Sequence, residues 1–296
     1  MELPSFIFQA QENLVERPWG GEWIAMLKGF RQGGIGESWE FSAHPSNPSQ
    51  VLVKGQQMSM LELFARYRDE LLGVEEYQKF PILVRIADVA GSAPVHVHPS
   101  DKVAESLGEN EGGVEAIWLA FSKGQVYAGF KEDVKIEDLE QKLEEDFDFR
   151  ELLNKFSSKP YDTYILKPGI PHAAESIRVL EVSSNSTLTY FFKKEDFEKV
   201  KKALKTNKVE EYEIRGQKGK AETESFGVEV IEVSGSAEIK TGGVMNIIYA
   251  AEGYFLLRGE EVADLHRGYS CLVPASTDSF TVESESGKIV RIYLKK

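Results

Sequence analysis

The sequence predicts a mainly β protein made of two strand-rich blocks, and three observations carry that expectation. Short β-branched and aromatic runs recur along the chain, Gly and Pro punctuate them, and helical spacing is confined to three segments. In the first block the runs are VLVKG at 51–55, PILVRIADV at 81–89, VEAIWLAF at 114–121 and QVYAGF at 125–130. YDTYILKPG at 161–169, IRVLEVSS at 177–184 and TLTYFF at 187–192 complete it. Strands this dense, joined by tight turns, read as a sandwich or barrel. The second block runs from about Glu211 to the end and contains EYEIRG, FGVEVIEVSG, GYFLLRG, GYSCLVPAS and KIVRIYL.

The three helical segments interrupt this pattern in order. Segment 58–73 sets Leu61, Leu63, Phe64, Tyr67, Leu71 and Leu72 at helical spacing. Segment 131–159 is charge-rich, with Ile136, Leu139, Leu143, Phe147, Leu152 and Leu153 as its apolar positions. It breaks into one β block, so it reads as a helical insertion with a solvated face. KEDFEKVKKALKTNK at 194–208 reads as a basic helix joining the blocks. The expected partition is 1–130 plus 157–193 for the first barrel, 131–156 for the insertion, 194–209 for the connecting helix and 210–296 for the second barrel.

Composition narrows the function. The chain has 296 residues, 42% hydrophobic and 28% charged, an ordinary globular balance with ample length for a core. Lys plus Arg number 35 against 48 Asp plus Glu, a formal charge of −13. Such a surface repels nucleic acid and anionic lipid, so neither is an expected partner. The single cysteine, Cys271, excludes an intramolecular disulfide and a cysteine-based metal cluster, and its apolar strand marks it as core. No stretch approaches the roughly 18 apolar residues of a membrane span, and no basic flank precedes an apolar start. A cytoplasmic, reducing location is expected.

The chemistry centres on the five histidines, His44, His96, His98, His172 and His266. In APVHVHPSD, His96 and His98 are two apart, so on a strand they project to the same side. Two histidines on a solvated strand face would give the same pattern. Glu115, opening the strand VEAIWLAF, and His172, held in the PGIPH turn, add a carboxylate and a third imidazole. A small barrel can gather such strand-end residues, and the donor set would accept one divalent ion, Zn²⁺ foremost, with Fe²⁺, Mn²⁺, Co²⁺ or Ni²⁺ compatible.

HxH followed by PGxPH resembles the two metal motifs of the cupins, and the long gap to Glu115 is similar to type I mannose-6-phosphate isomerases. ERPWGGEW (16–23), GESWEFSAHPSNPSQVL (36–52), FPILVRIADVAGSAPVHVHPSD (80–101) and VLEVSSNSTLTYF (179–191) agree with that family. The resemblance implies two cupin-like, jelly-roll barrels, the second metal-free. It implies metal ligands His96 (where the family usually has Gln), His98, Glu115 and His172, and interconversion of mannose 6-phosphate and fructose 6-phosphate. Glu181 matches a family acid/base glutamate. Arg85, a charge inside an apolar run where the family often has Lys, is the implied phosphate contact. Ser42 and Lys102 are further phosphate candidates, and Trp19, Glu40 and His44 are implied sugar-pocket residues. Two departures stand out: Gly113 and Phe191 occupy positions where the family usually has Lys and Arg. They leave open a non-catalytic sugar-phosphate binder, and a cupin oxygenase shares the ligand types. The expected partner is a small sugar phosphate, with the chain a monomer or homodimer.

Overall fold

The computed structural model describes residues 3–296. Its strands gather into two ten-stranded, largely antiparallel sheets. The hub of the first is His172–Ser184, which pairs with Ile82–Ser92, Gly124–Phe130, Ala116–Ala120 and His96–Val97. Its register shifts between Glu175 and Ile177, and a bulge of this kind bends a strand. The N-terminal half therefore serves one set of partners and the C-terminal half another, and the sheet curls. Ile35–Phe41 and Leu14–Gly21 extend it beyond Ile82–Ser92.

Alternation along these strands sorts side chains between two layers. Trp118, Ala120, Ile177 and Val179 fill the inside of the first sheet, whereas Ile117, Leu119, Leu180 and Val182 turn outward. The outward set meets Val228, Ile247, Tyr249, Leu272 and Ile292 of the second sheet, so the largest core is the seam between the sheets. The second sheet is dominated by the long pair Phe226–Lys240 and Ser279–Leu294. Its own interior is packed with Phe255, Leu257, Cys271, Val273, Phe280 and Val282.

Helix Met60–Leu72 closes one end of the seam. Ser59 and Glu62 form a reciprocal capping box at its start, and Gly73 ends it in the left-handed region at φ 66°. A side chain at Gly73 would also strike the Gly243 carbonyl at 2.1 Å. Met60, Leu63, Leu71 and Leu72 are the residues it buries.

Several expected boundaries shift. Ile7–Gln9 pairs with Ser270–Val273, and Gln50–Val53 pairs with Ile7–Gln9, so N-terminal segments belong to the second sheet. Sheet membership thus crosses the partition at 1–130, because pairing follows spatial edges and not chain order. The insertion is helical only over Ile136–Glu144 and Phe149–Leu152; Leu153–Ser158 is a strand on Gly124–Phe130. The connecting helix spans just Phe197–Ala203, and Glu211–Ile214, expected as strand, is one helical turn closed by a Glu210/Glu213 capping box.

A three-histidine pocket in the first barrel

The first sheet opens onto a cavity of about 870 Å³. At its inner wall the register sets His172 opposite His96, and His96 opposite Phe191. Ring centroids lie 4.2 Å apart for His96–His172, 5.0 Å for His98–His172 and 5.2 Å for His96–His98. A nitrogen from each of the three lies within 4.8 Å of the others.

The tautomers follow from the backbone. The Nδ1 atoms of His96, His98 and His172 sit 2.9, 2.8 and 2.9 Å from the carbonyls of Pro94, Leu188 and Ile170. A carbonyl only accepts, so each Nδ1 carries the hydrogen and each Nε2 keeps its lone pair. His172 Nε2 is buried and has no hydrogen-bond partner among the described residues. Burial pushes all three imidazoles below their ordinary value of 6.5, His98 to about 3, with His96 adding to the shift at His98 and His172. Three neutral imidazoles, oriented by backbone carbonyls and offering unshared pairs, fit a divalent metal ion.

A row of cross-strand neighbours builds the adjoining wall. Trp118, Glu181, Arg85 and Trp39 are successive partners across four strands and line the same cavity. Arg85 donates Nε and Nη2 to Glu181 Oε1 at 3.1 and 2.6 Å, and Trp118 Nε1 donates to Glu181 Oε2 at 2.8 Å. Glu37 stands beside the row. It accepts Nε and Nη2 of Arg17, both at 3.0 Å, and Trp39 Nε1 at 2.8 Å, with Arg85 Nη1 at 3.6 Å. Burial alone would raise the Glu37 carboxyl, but the Arg85 and Arg17 guanidiniums outweigh it and hold it below its ordinary value. Burial likewise works against the Arg85 charge, and Glu181 and Glu37 more than restore it.

Of the residues singled out in the sequence, His96, His98, Glu181, Arg85 and Trp19 line this cavity. His172 adjoins them through His96, His98 and Trp118. Glu115 does not join the imidazoles. It is an odd number of residues from inward-facing Trp118, so alternation turns it outward with Ile117, where its neighbours are Thr223 and Glu224. Glu40 also points away, into the seam, because alternation opposes it to Glu37 and Trp39; it pairs with Lys28 at 2.9 Å. Ser42 is buried and accepts the His44 amide. His44 stands behind Trp39, its Nδ1 2.7 Å from Ser46 Oγ. Lys102 is exposed on the helix Asp101–Ser106, away from the cavity lining.

The departures acquire physical reasons. A side chain at Gly113 would come within 2.5 Å of the Asp101 amide nitrogen, so the chain passes too closely there for Lys. Phe191 lines the cavity with its ring 5.8 Å from that of His96, putting an apolar face where the family usually has a cation. Glu37, Trp39 and Trp118 were not singled out beforehand as pocket residues, and the sequence could not place Arg17. Alternation shows that Glu37 and Trp39 share a face, but not which face turns inward.

Two curled sheets, one filled with apolar side chains and one opening onto three convergent imidazoles, define a two-barrel cupin. Residues 8–114 match the model for the phosphomannose isomerase type I catalytic domain, and 206–294 match that for the mannose-6-phosphate isomerase cupin domain. Mannose-6-phosphate isomerase ManA of Bacillus subtilis is 28% identical over 305 residues, covering 93% of this chain and 95% of that protein. Among solved structures, "The structure of a putative mannosephosphate isomerase from Archaeoglobus fulgidus" is 75% identical, with a TM-score of 0.99 and full coverage of both chains. The mannose 6-phosphate isomerase structure from Bacillus subtilis is 25% identical with a TM-score of 0.86, covering 98% of this chain and 99% of that one. The chain belongs to the type I phosphomannose isomerase family.

Proposed function

We propose that this protein is a metal-dependent aldose–ketose isomerase that interconverts mannose 6-phosphate and fructose 6-phosphate through a C1–C2 enediol. The observation that carries the reading is the meeting, in one cavity of a chain of this family, of three lone-pair-bearing imidazoles and the clamped carboxylate of Glu181. His96, His98 and His172 would hold one divalent ion, zinc foremost. When bound, that ion supplies a Lewis acid for the sugar oxygens and stabilises the charge that develops on them.

The remaining chemistry belongs to the side chains. Glu181 takes the proton from C2 of the aldose and returns it to C1, while the hydroxyl proton passes from O2 to O1, so the atoms balance. Arg85 and Trp118 position the carboxylate by fixing both of its oxygens. Trp19, Trp39 and Phe191 supply apolar walls that exclude water. We assign the reaction to the first barrel and a scaffolding role to the second, in a cytoplasmic enzyme. No helix among the described residues is long and apolar enough to cross a membrane.

The test is turnover of mannose 6-phosphate by metal-stripped protein, with and without added Zn²⁺, Co²⁺ or Mn²⁺. Metal-restored turnover that His98→Ala and Glu181→Gln both abolish is the expected result. Stoichiometric metal binding with no turnover of phosphorylated or free aldoses would refute it and leave a sugar-binding cupin.

A further inference from the structure

We propose that Arg17 receives the phosphate of the substrate and sets the preference for a phosphorylated over a free hexose; this rests on the isomerase reading above. Among the described residues lining the cavity, the only lysine or arginine side chains are Arg17 and Arg85; Lys102 and Arg267 lie outside the lining.

The two arginines are held differently. Arg85 is 14% exposed and directs its guanidinium at Glu181 and Glu37, so it is committed to the carboxylates of the inner wall. Arg17 is 37% exposed. It uses only Nε and Nη2 on the two Glu37 oxygens, which leaves Nη1 without a partner among the described residues. A guanidinium tied on one edge and open on the other is oriented before a phosphate arrives, which lowers the entropy cost of binding it.

The rim is built to present this residue. Glu16 and Gly21 both register against Ile35, so residues 17–20 form an excursion from the strand that re-aims Arg17 and Trp19. The Arg17 stem lies against Gly36, where an added Cβ would sit 2.4 Å from Arg17 Cβ and 2.9 Å from Trp19 Cζ3. With C1 and C2 at the imidazoles and Glu181, the six-carbon chain carries the phosphate outward towards this rim.

The experiment compares wild type with Arg17→Gln and Arg17→Lys. Steady-state kinetics on mannose 6-phosphate and mannose are paired with calorimetric titration of inorganic phosphate. Arg17→Gln should raise KM for mannose 6-phosphate about 10- to 100-fold with kcat within about threefold, as expected for one charged hydrogen-bonding partner. The kcat/KM preference for the phosphorylated sugar should fall, and phosphate binding should weaken, by a similar factor. Arg17→Lys should recover part of both. An unchanged KM in correctly folded Arg17→Gln, or an equal loss on both sugars, overturns the proposal. Wild type that turns over neither sugar overturns the isomerase reading instead, and the phosphate titration still decides the role of Arg17.

Discussion

Replacing Lys28 by Met tests how the two sheets are clasped. Lys28 follows the short helix Trp23–Leu27, and its side chain is fully buried. Its Nζ lies 3.0 Å from Glu12 Oε2 and 2.9 Å from Glu40 Oε1, and 4.5 Å from the Tyr269 ring centre. Glu40 also accepts the Ser38 hydroxyl at 2.8 Å and, across the seam, the Ser270 hydroxyl at 2.7 Å. Two carboxylates therefore depend on one ammonium. Burial opposes the Lys28 charge, but Glu40 and Glu12 outweigh it and hold the group above its ordinary value.

Removing the ammonium leaves Glu40 buried with only two hydroxyls to solvate it, a loss of about 3–5 kcal/mol. At roughly 2 °C per kcal/mol for a chain of this size, Tm should fall by about 6–10 °C. Lys28→Met/Glu40→Gln removes both charges and should regain at least half of that. Calorimetry and urea titration of both single variants and the double variant measure the coupling. Because the folded value of Lys28 is raised, its contribution is whole below pH 10.5 and is lost only as pH rises through the folded value, so melts at neutral pH report the full pair. A Tm within about 2 °C of wild type, or strict additivity in the double variant, would refute the reasoning.

Three other outcomes are expected. Glu115→Gln should keep wild-type metal stoichiometry in equilibrium dialysis, since Glu115 faces outward, whereas His172→Ala should lose at least about tenfold in affinity. Gly36→Ala should displace Arg17, costing about 1–3 kcal/mol in a melt and raising KM for mannose 6-phosphate. The Glu37 carboxyl is held below its ordinary value of 4.5, so its stabilisation is whole above that pH and is lost as pH falls through the folded value. Thermal melts of Glu37→Gln should therefore decline less steeply than wild type below pH 4.5, by up to about 1.4 kcal/mol per pH unit.

Much of the site was legible because its signals are local. His96 and His98 two apart on a strand must share a face, and the rigid PGIPH turn marks His172, so the imidazole cluster could be read from spacing. Arg85 stood out as a charge in an apolar run and was expected to contact phosphate; in the structure its guanidinium is paired with Glu181 and Glu37. Helix Met60–Leu72 was equally plain from its apolar periodicity, which lies in one segment.

What failed was long-range or a matter of parity. Glu115 and Trp118 had to face opposite ways, but nothing in VEAIWLAF says which turns inward; that depends on which face of the sheet meets the seam. Glu40 was misplaced for the same reason, being one residue out of phase with Glu37 and Trp39. The pairing of Ile7–Gln9 with Ser270–Val273 spans nearly the whole chain, and no local pattern encodes an edge-to-edge match at that separation. The sequence by itself determined the β architecture, the imidazole trio and the acidic surface, because each is set by residue type and short-range spacing. Only the tertiary structure decided that Glu115 leaves the site and that Arg17 and Glu37 enter it, because inside and outside exist on a strand only once a second layer covers one face.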